Sequence, residues 1–144
     1  MTIRIAESSF DPWDEIQRYQ QQLPHQNKYG ATAVFIGSMR DFNEGDNVQS
    51  MTLEHYPGMT NRYLEKITKE ASDRWDILDC LIVHRVGEVN PNEPIVLVAV
   101  WSAHRAAAYD ANRYIMEELK SRAPFWKKEQ LSEGSRWVEK NTSG

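Results

Sequence analysis

Two stretches of helical periodicity lie between runs of strand character, and this alternation restricts the fold more than any other feature of the chain. Residues 59–75 place Tyr63, Ile67 and Ala71 four apart, and residues 102–122 place Ala108, Ala111, Ile115 and Leu119 on one stripe. Each pattern predicts a helix with one apolar face. Between and around them, residues 30–39, 48–56, 77–86 and 94–101 are short runs of apolar and β-branched residues, which predict strands. An earlier helix is expected to open at Asp11 as N-cap, with Pro12 in the first helical position and Asp14 and Glu15 in the first turn, and to end near Leu23-Pro24. Residues 2–6 alternate as a short first strand, residues 40–47 form a polar loop turned by Gly45, and Ser102 is expected to cap the last long helix. One or two strands follow in residues 125–138. The order β-α-β-β-α-β-β-α-β describes an α+β fold, helices packed on a mostly antiparallel sheet.

The 144 residues fit a single domain spanning 1–144, and 40% apolar content with five Trp, six Tyr and four Phe supplies a core. A net charge of -4 argues against nucleic acid as a partner. One cysteine, Cys80, excludes an internal disulfide, and the four histidines at 25, 55, 84 and 104 show no metal-ligand spacing. No metal or cofactor is expected. Without a leader-like segment or a long apolar run, the expected location is the cytoplasm, away from membranes.

Three places suit chemistry. Ser102-Ala103-His104-Arg105 sets cations at a helix N-terminus, against the macrodipole, and an anion such as phosphate bound there would reverse that penalty; solvated side chains splayed outward are the alternative. Lys120, Lys127 and Lys128 surround Pro124-Phe125-Trp126. A lysine crowded by other cations and partly desolvated has a lowered pKa and works as acid, base or nucleophile, whereas a lysine in a last helical turn also simply compensates the dipole. Ser38-Met39-Arg40 ends a strand, where Arg40 offers a fork for phosphate or carboxylate or, alternatively, pairs with Asp41 or Glu44. His84, inside a strand with Arg85 on the opposite face, reads as a structural histidine, and Cys80 as a small core residue.

Six runs go further: GSMRDFNEGD at 37–46, LEHYPGM at 53–59, VHRVGE at 83–88, SAHRAAA at 102–108, LKSRAPFWKKE at 119–129 and GSRWV at 134–138. In this order, over nearly all of residues 30–138, they resemble the molybdopterin synthase large-subunit family. The resemblance implies an α/β-hammerhead-like fold and a homodimer within a heterotetramer. Each chain would receive the thiocarboxylated Gly-Gly C-terminus of a small ubiquitin-like sulfur carrier, and the substrate would be cyclic pyranopterin monophosphate, converted to the molybdopterin dithiolene. It implies Lys120 and Lys127 as the catalytic pair, with Ser38, Met39, Arg40, His104, Arg105, Lys128 and Glu129 binding substrate. Ser38 stands where relatives often carry a basic residue, and Lys140-Asn141 where some place an arginine that reaches across the dimer. A non-catalytic module for a ubiquitin-like partner would not need Lys120, Lys127, His104 and Arg105 together. A pterin-phosphate sensor would not need a lysine that receives the carrier's tail.

Overall fold

Two sheets divide the strands. The computed structural model describes residues 1–43, 46–131 and 134–138. Its elements are β1 (Thr2–Ala6), α1 (Pro12–Gln22), β2 (Ala31–Ser38), β3 (Phe42–Asn43), β4 (Asp46–His55), α2 (Met59–Arg74), β5 (Ile77–Arg85), β6 (Gly87–Val89), β7 (Pro94–Ser102), α3 (Arg105–Arg122), β8 (Phe125–Leu131) and β9 (Gly134–Trp137), with a 3-10 turn at Gln26–Lys28. The first sheet has the order β1-β5-β7-β2, antiparallel except for the β1–β5 pair. The second has the order β3-β4-β8-β9, with β6 pairing beside β4, and is antiparallel. This is the α+β class expected from the alternation. Among the described residues no helix is long and apolar enough to cross a membrane.

The central strands β5 and β7 are covered on both faces, which is why their sequences are continuous apolar runs rather than alternating ones. Cys80, Ile82, Val96, Val98 and Val100 pack against Leu64, Ile67 and Ala71 of α2 and Ala111, Ile115 and Leu119 of α3. On the other face Leu81, Val83, Leu97, Ala99 and Trp101 meet Phe10, Leu23 and the α1 residues Ile16 and Tyr19. A third cluster, Met39, Val48, Met51, Leu53 and Val89, lies under the second sheet. Buried Asn112 of α3 ties the helix to the first sheet, its Nδ2 donating to the carbonyls of Ala33 (3.0 Å) and Val98 (2.9 Å).

Local structure follows the residue types, with four corrections. Asp11 caps α1 as expected, accepting from the N–H groups of Trp13 and Asp14. In α2 the stripe is turned: Leu64, not Tyr63, is buried, beside Thr60, Ile67, Thr68 and Ala71. A helix spaced by fours drifts around its axis, so the i, i+3, i+4 set fits the sheet better. The α3 cap is His104, not Ser102, because the Ser102 hydroxyl is committed to the Asp76 carbonyl at 2.8 Å. The polar segment after β2 contains strand β3 paired with β4; the turn at Gly45 lies outside the described residues. β6 was not expected, since three residues carry too short a pattern to read. Gly30 has no room for a side chain: a Cβ there would lie 2.1 Å from the Ala103 carbonyl oxygen. Its N–H donates to the Ser102 carbonyl (3.0 Å), fixing the strand against the segment that leads into α3.

Candidate active site

The last turn of α3, the end of β5 and the start of β8 meet around a recess of about 20 Å³ lined by His84, Leu119, Lys120, Ala123, Phe125 and Lys127. Pro124 supplies the break between α3 and β8, because it cannot continue a helix and disfavours helical geometry before it. The break is pinned by Thr60 of α2, whose hydroxyl donates to the Pro124 carbonyl at 3.1 Å. Arg122 donates to Glu70 of α2 at 2.8 Å, which holds the helix end bearing Lys120. On β8 the alternation sends Phe125, Lys127 and Glu129 inward and Trp126, Lys128 and Gln130 outward. Lys127 pairs in register with buried Leu53 of β4.

The two amines define the electrostatics. Lys127 is pushed down to about 7, first by burial and then by the Lys120 ammonium beside it, within hydrogen-bonding reach; Glu129 offsets part of this. Glu129 is itself only 4% exposed and accepts from the Arg136 guanidinium of β9 at 2.9 Å, so its charge is largely compensated before it reaches the lysine. His84 stacks on Phe125, ring centroids 3.7 Å apart, and its Nδ1 lies 2.8 Å from the Arg85 carbonyl.

Strand register sorts the expected site residues into two groups. His84 and Gly37 both align with Val96 of β7. Ser38, Met39 and Arg40 therefore leave the first sheet at the end where His84 sits, about 10 Å away at strand spacings of about 4.8 Å. Ser38 and Arg40 are exposed there. Met39 is buried, and its backbone is already used: its N–H donates to Glu93 and its carbonyl accepts from Asn92, each at 2.9 Å. It thus shapes this rim by packing rather than by offering backbone groups. His104 and Arg105 occupy the opposite end of the sheet, where Ser102 aligns with Ala31 and Ile77. Along α3 they lie about 22 Å from Lys120, at about 1.5 Å per residue, so one chain does not bring them to the lysines. Both are exposed, and the His104 side chain makes no capping bond to the first turn of α3. Lys128 lies on the outward face, its ammonium 5.6 Å from the Trp137 ring centre. Glu44, Lys140 and Asn141 lie outside the described residues. Sequence reasoning on its own read His84 as structural and passed over Phe125 and Arg136; their only other signal was membership of the runs at 83–88, 119–129 and 134–138.

A lysine with a lowered pKa beside a second lysine, at the mouth between two sheets, can exchange a proton near neutrality and can stabilise negative charge on a bound group. Comparison with known proteins makes this specific. The family profile described as MoaE protein matches residues 6–122. A molybdopterin synthase catalytic subunit of Ralstonia nicotianae is 51% identical over 138 residues, 96% of this chain and 77% of that protein. The one from Pseudomonas aeruginosa is 51% identical over 140 residues, 96% of this chain and 91% of its own length. The solved structure of a molybdopterin biosynthesis MoaE protein from Burkholderia ambifaria superposes with a TM-score of 0.81 at 43% identity, covering 99% of this chain and 92% of that one. The chain belongs to the MoaE family, that of the molybdopterin synthase catalytic subunits.

Proposed function

We propose that this chain takes sulfur from the thiocarboxylated Gly-Gly C-terminus of a small ubiquitin-like carrier and places it on cyclic pyranopterin monophosphate in the cytoplasm, with Lys120 and Lys127 as the catalytic pair. The observation that carries this reading is the Lys127 amine held near neutrality beside Lys120. Such an amine is about half protonated at neutral pH and both accepts and returns a proton readily. In each transfer the thiocarboxylate sulfur bonds to a pterin side-chain carbon, the carbon–oxygen bond at that carbon breaks, and Lys127 supplies the proton with which the oxygen leaves. Water or the Lys120 amine then adds to the carrier's carbonyl. The acyl carbon–sulfur bond breaks and its electron pair stays on the sulfur now held by the pterin; the carrier leaves as carboxylate, directly where water attacks or after hydrolysis of the amide where Lys120 does. Lys120 stabilises the charge that develops on the carbonyl oxygen. Two such transfers give the dithiolene.

Ser38 and Arg40 form the rim that meets the substrate, over the packed Met39, while Glu129 sets the charge around Lys127 and Lys128 lines the outward face of β8. His104 and Arg105 serve the phosphate in a homodimer, each chain lending them to the lysines of its partner. The separation along α3 supports this division, since a site built within one chain would leave them unused.

The test is reconstitution of this chain with the thiocarboxylated carrier and the cyclic pterin, assayed for dithiolene. We expect product with the native chain and none with Lys120→Ala, carrier binding being retained. Binding of the carrier without product from the native chain would overturn the catalytic reading in favour of a binding module. Mixing Lys120→Ala with Arg105→Ala chains should restore up to about a quarter of native activity if random pairing yields half heterodimers, each with one intact site. No restoration would overturn the shared site.

A further inference from the structure

His84 is only 3% exposed, yet its ring lines the same recess as Lys120 and Lys127. Its contacts leave little freedom. The parallel stack on Phe125, with an interplanar angle of 10°, fixes the ring plane. The Nδ1 nitrogen faces the Arg85 carbonyl at 2.8 Å. A carbonyl has no proton to give, so Nδ1 carries the hydrogen and donates it, and Nε2 keeps a bare lone pair. Nε2 lies at the far end of the ring from the strand backbone and is the ring nitrogen left for the recess.

We propose that His84 is a positioning residue of the lysine pair: its Nε2 accepts a hydrogen bond from the Lys120 ammonium and aims that ammonium at the carbonyl to be attacked. This rests on the sulfur-transfer reading of the same pocket. An ammonium has three hydrogens. One goes to Nε2, one to the uncharged Lys127 amine within reach, and the third is left directed at the substrate oxygen.

The choice of an imidazole has a physical reason. A carboxylate at this position would hold Lys120 more strongly but would bring a negative charge, which would raise the pKa of Lys127 and remove its ability to shuttle a proton. A neutral acceptor orients without adding charge. His84 stays neutral because burial pushes its imidazole down to about 3, with Lys120 on α3, Lys127 on β8 and His55 on β4 all acting in the same direction against the Arg85 carbonyl. It therefore never competes for the proton that the lysines exchange.

The first experiment needs no substrate. In the nitrogen-15 spectrum of the histidine rings, native His84 should show a protonated Nδ1 and an Nε2 shifted from the free, pyridine-like position by the bond it accepts. Lys120→Ala, a change in a partly buried residue of the last helical turn, should return Nε2 to the free position without altering Nδ1. An unchanged Nε2 would overturn the proposal. Because this is read on the chain alone, it stands apart from dithiolene formation, whose failure would instead count against the sulfur-transfer reading.

The second experiment compares His84→Phe, which keeps the stack but has no acceptor, with His84→Gln, which keeps a neutral acceptor. We expect kcat to fall at least tenfold in His84→Phe with KM for the pterin within twofold, and to recover in large part in His84→Gln. Equal losses in both variants, following equal losses in melting temperature, would show that the residue only fills space.

Discussion

Replacing Lys127 by methionine tests whether the pocket holds an amine against its own preference. The Lys127 side chain titrates near 7 in the folded chain and at an ordinary 10.5 when unfolded. Its folded pKa is the lower of the two, so the folded state carries the full cost of the charge below pH 7. Between pH 7 and 10.5 the unfolded chain binds the extra proton, and stability rises with pH; above 10.5 the effect is gone. Integrated between pH 7 and pH 9, the native chain gains about 2 kcal/mol relative to Lys127→Met, at about 1.4 kcal/mol per pH unit of full proton difference. Partial access of the amine to water lowers this to about 1–2 kcal/mol. Cys80, whose buried thiol is pushed up to about 12, acts in the opposite direction at high pH, but both chains carry it and it cancels in the difference. Urea denaturation of both chains at pH 7, 8 and 9 is the assay. Lys127→Met should be the more stable at pH 7, with its advantage shrinking toward pH 9. An advantage independent of pH, or a variant less stable at pH 7, would refute a desolvated and repelled lysine.

Glu129→Gln removes the group that partly raises Lys127, so the acid limb of the kcat profile should move to lower pH; movement upward would refute the charge argument. Gly30→Ala forces a methyl to within 2.1 Å of the Ala103 carbonyl and should cost about 2–4 kcal/mol in urea denaturation; a loss below about 0.5 kcal/mol would show that the segment yields easily. Asn112→Leu gives up two buried hydrogen bonds, for an expected loss of about 2–3 kcal/mol, and a melting temperature equal to that of the native chain would contradict the tie between α3 and the sheet.

Much of the fold was legible because it rests on local rules. Asp11 and Pro12 announce a helix start wherever they occur together before a helical pattern, and the apolar runs of β5 and β7 mark strands buried on both faces. Ser102 misled because a serine before a helix caps it only if its hydroxyl is free, and here the Asp76 carbonyl, distant in sequence, claims it. Tyr63 misled because four-residue spacing does not identify which side of a drifting stripe meets the sheet. The site was legible only through resemblance. Spacing alone favoured reading Lys120 and Lys127 as solvated charges, since nothing local states that β8 turns Lys127 inward against Leu53. His84 was read as structural for the same reason: its neighbours in the recess come from α3 and β8, well over thirty residues further along the chain. The division of His104 and Arg105 from the lysines depends on the length of α3 and on strand register, which six motifs in order do not encode.

The position of Cys80 bears on where the sulfur comes from. Sulfur relayed on a protein cysteine must pass through a thiolate that meets both donor and acceptor. Cys80 is 1% exposed, packed among Ile82, Val98 and Val100 against α2 and α3, and its thiol titrates far above neutrality because burial disfavours the anion. It shares a strand face with His84 but lies four residues back along β5, about 13 Å away at about 3.3 Å per residue, and does not line the recess. A transferase of sulfur with that single cysteine therefore has no internal carrier, and the donor must enter with its sulfur already activated. A thiocarboxylate satisfies this, being ionised at neutral pH without help from the protein. The pocket then needs cations to receive it and a base to follow the proton, the roles proposed above for Lys120 and Lys127. Cys80→Ser should leave turnover in the reconstituted reaction within about twofold once corrected for folded protein, its cost falling on stability at about 1–3 kcal/mol for a buried hydroxyl without a partner. Turnover lost in a chain that remains folded would return the sulfur relay to Cys80 and remove the need for an activated donor.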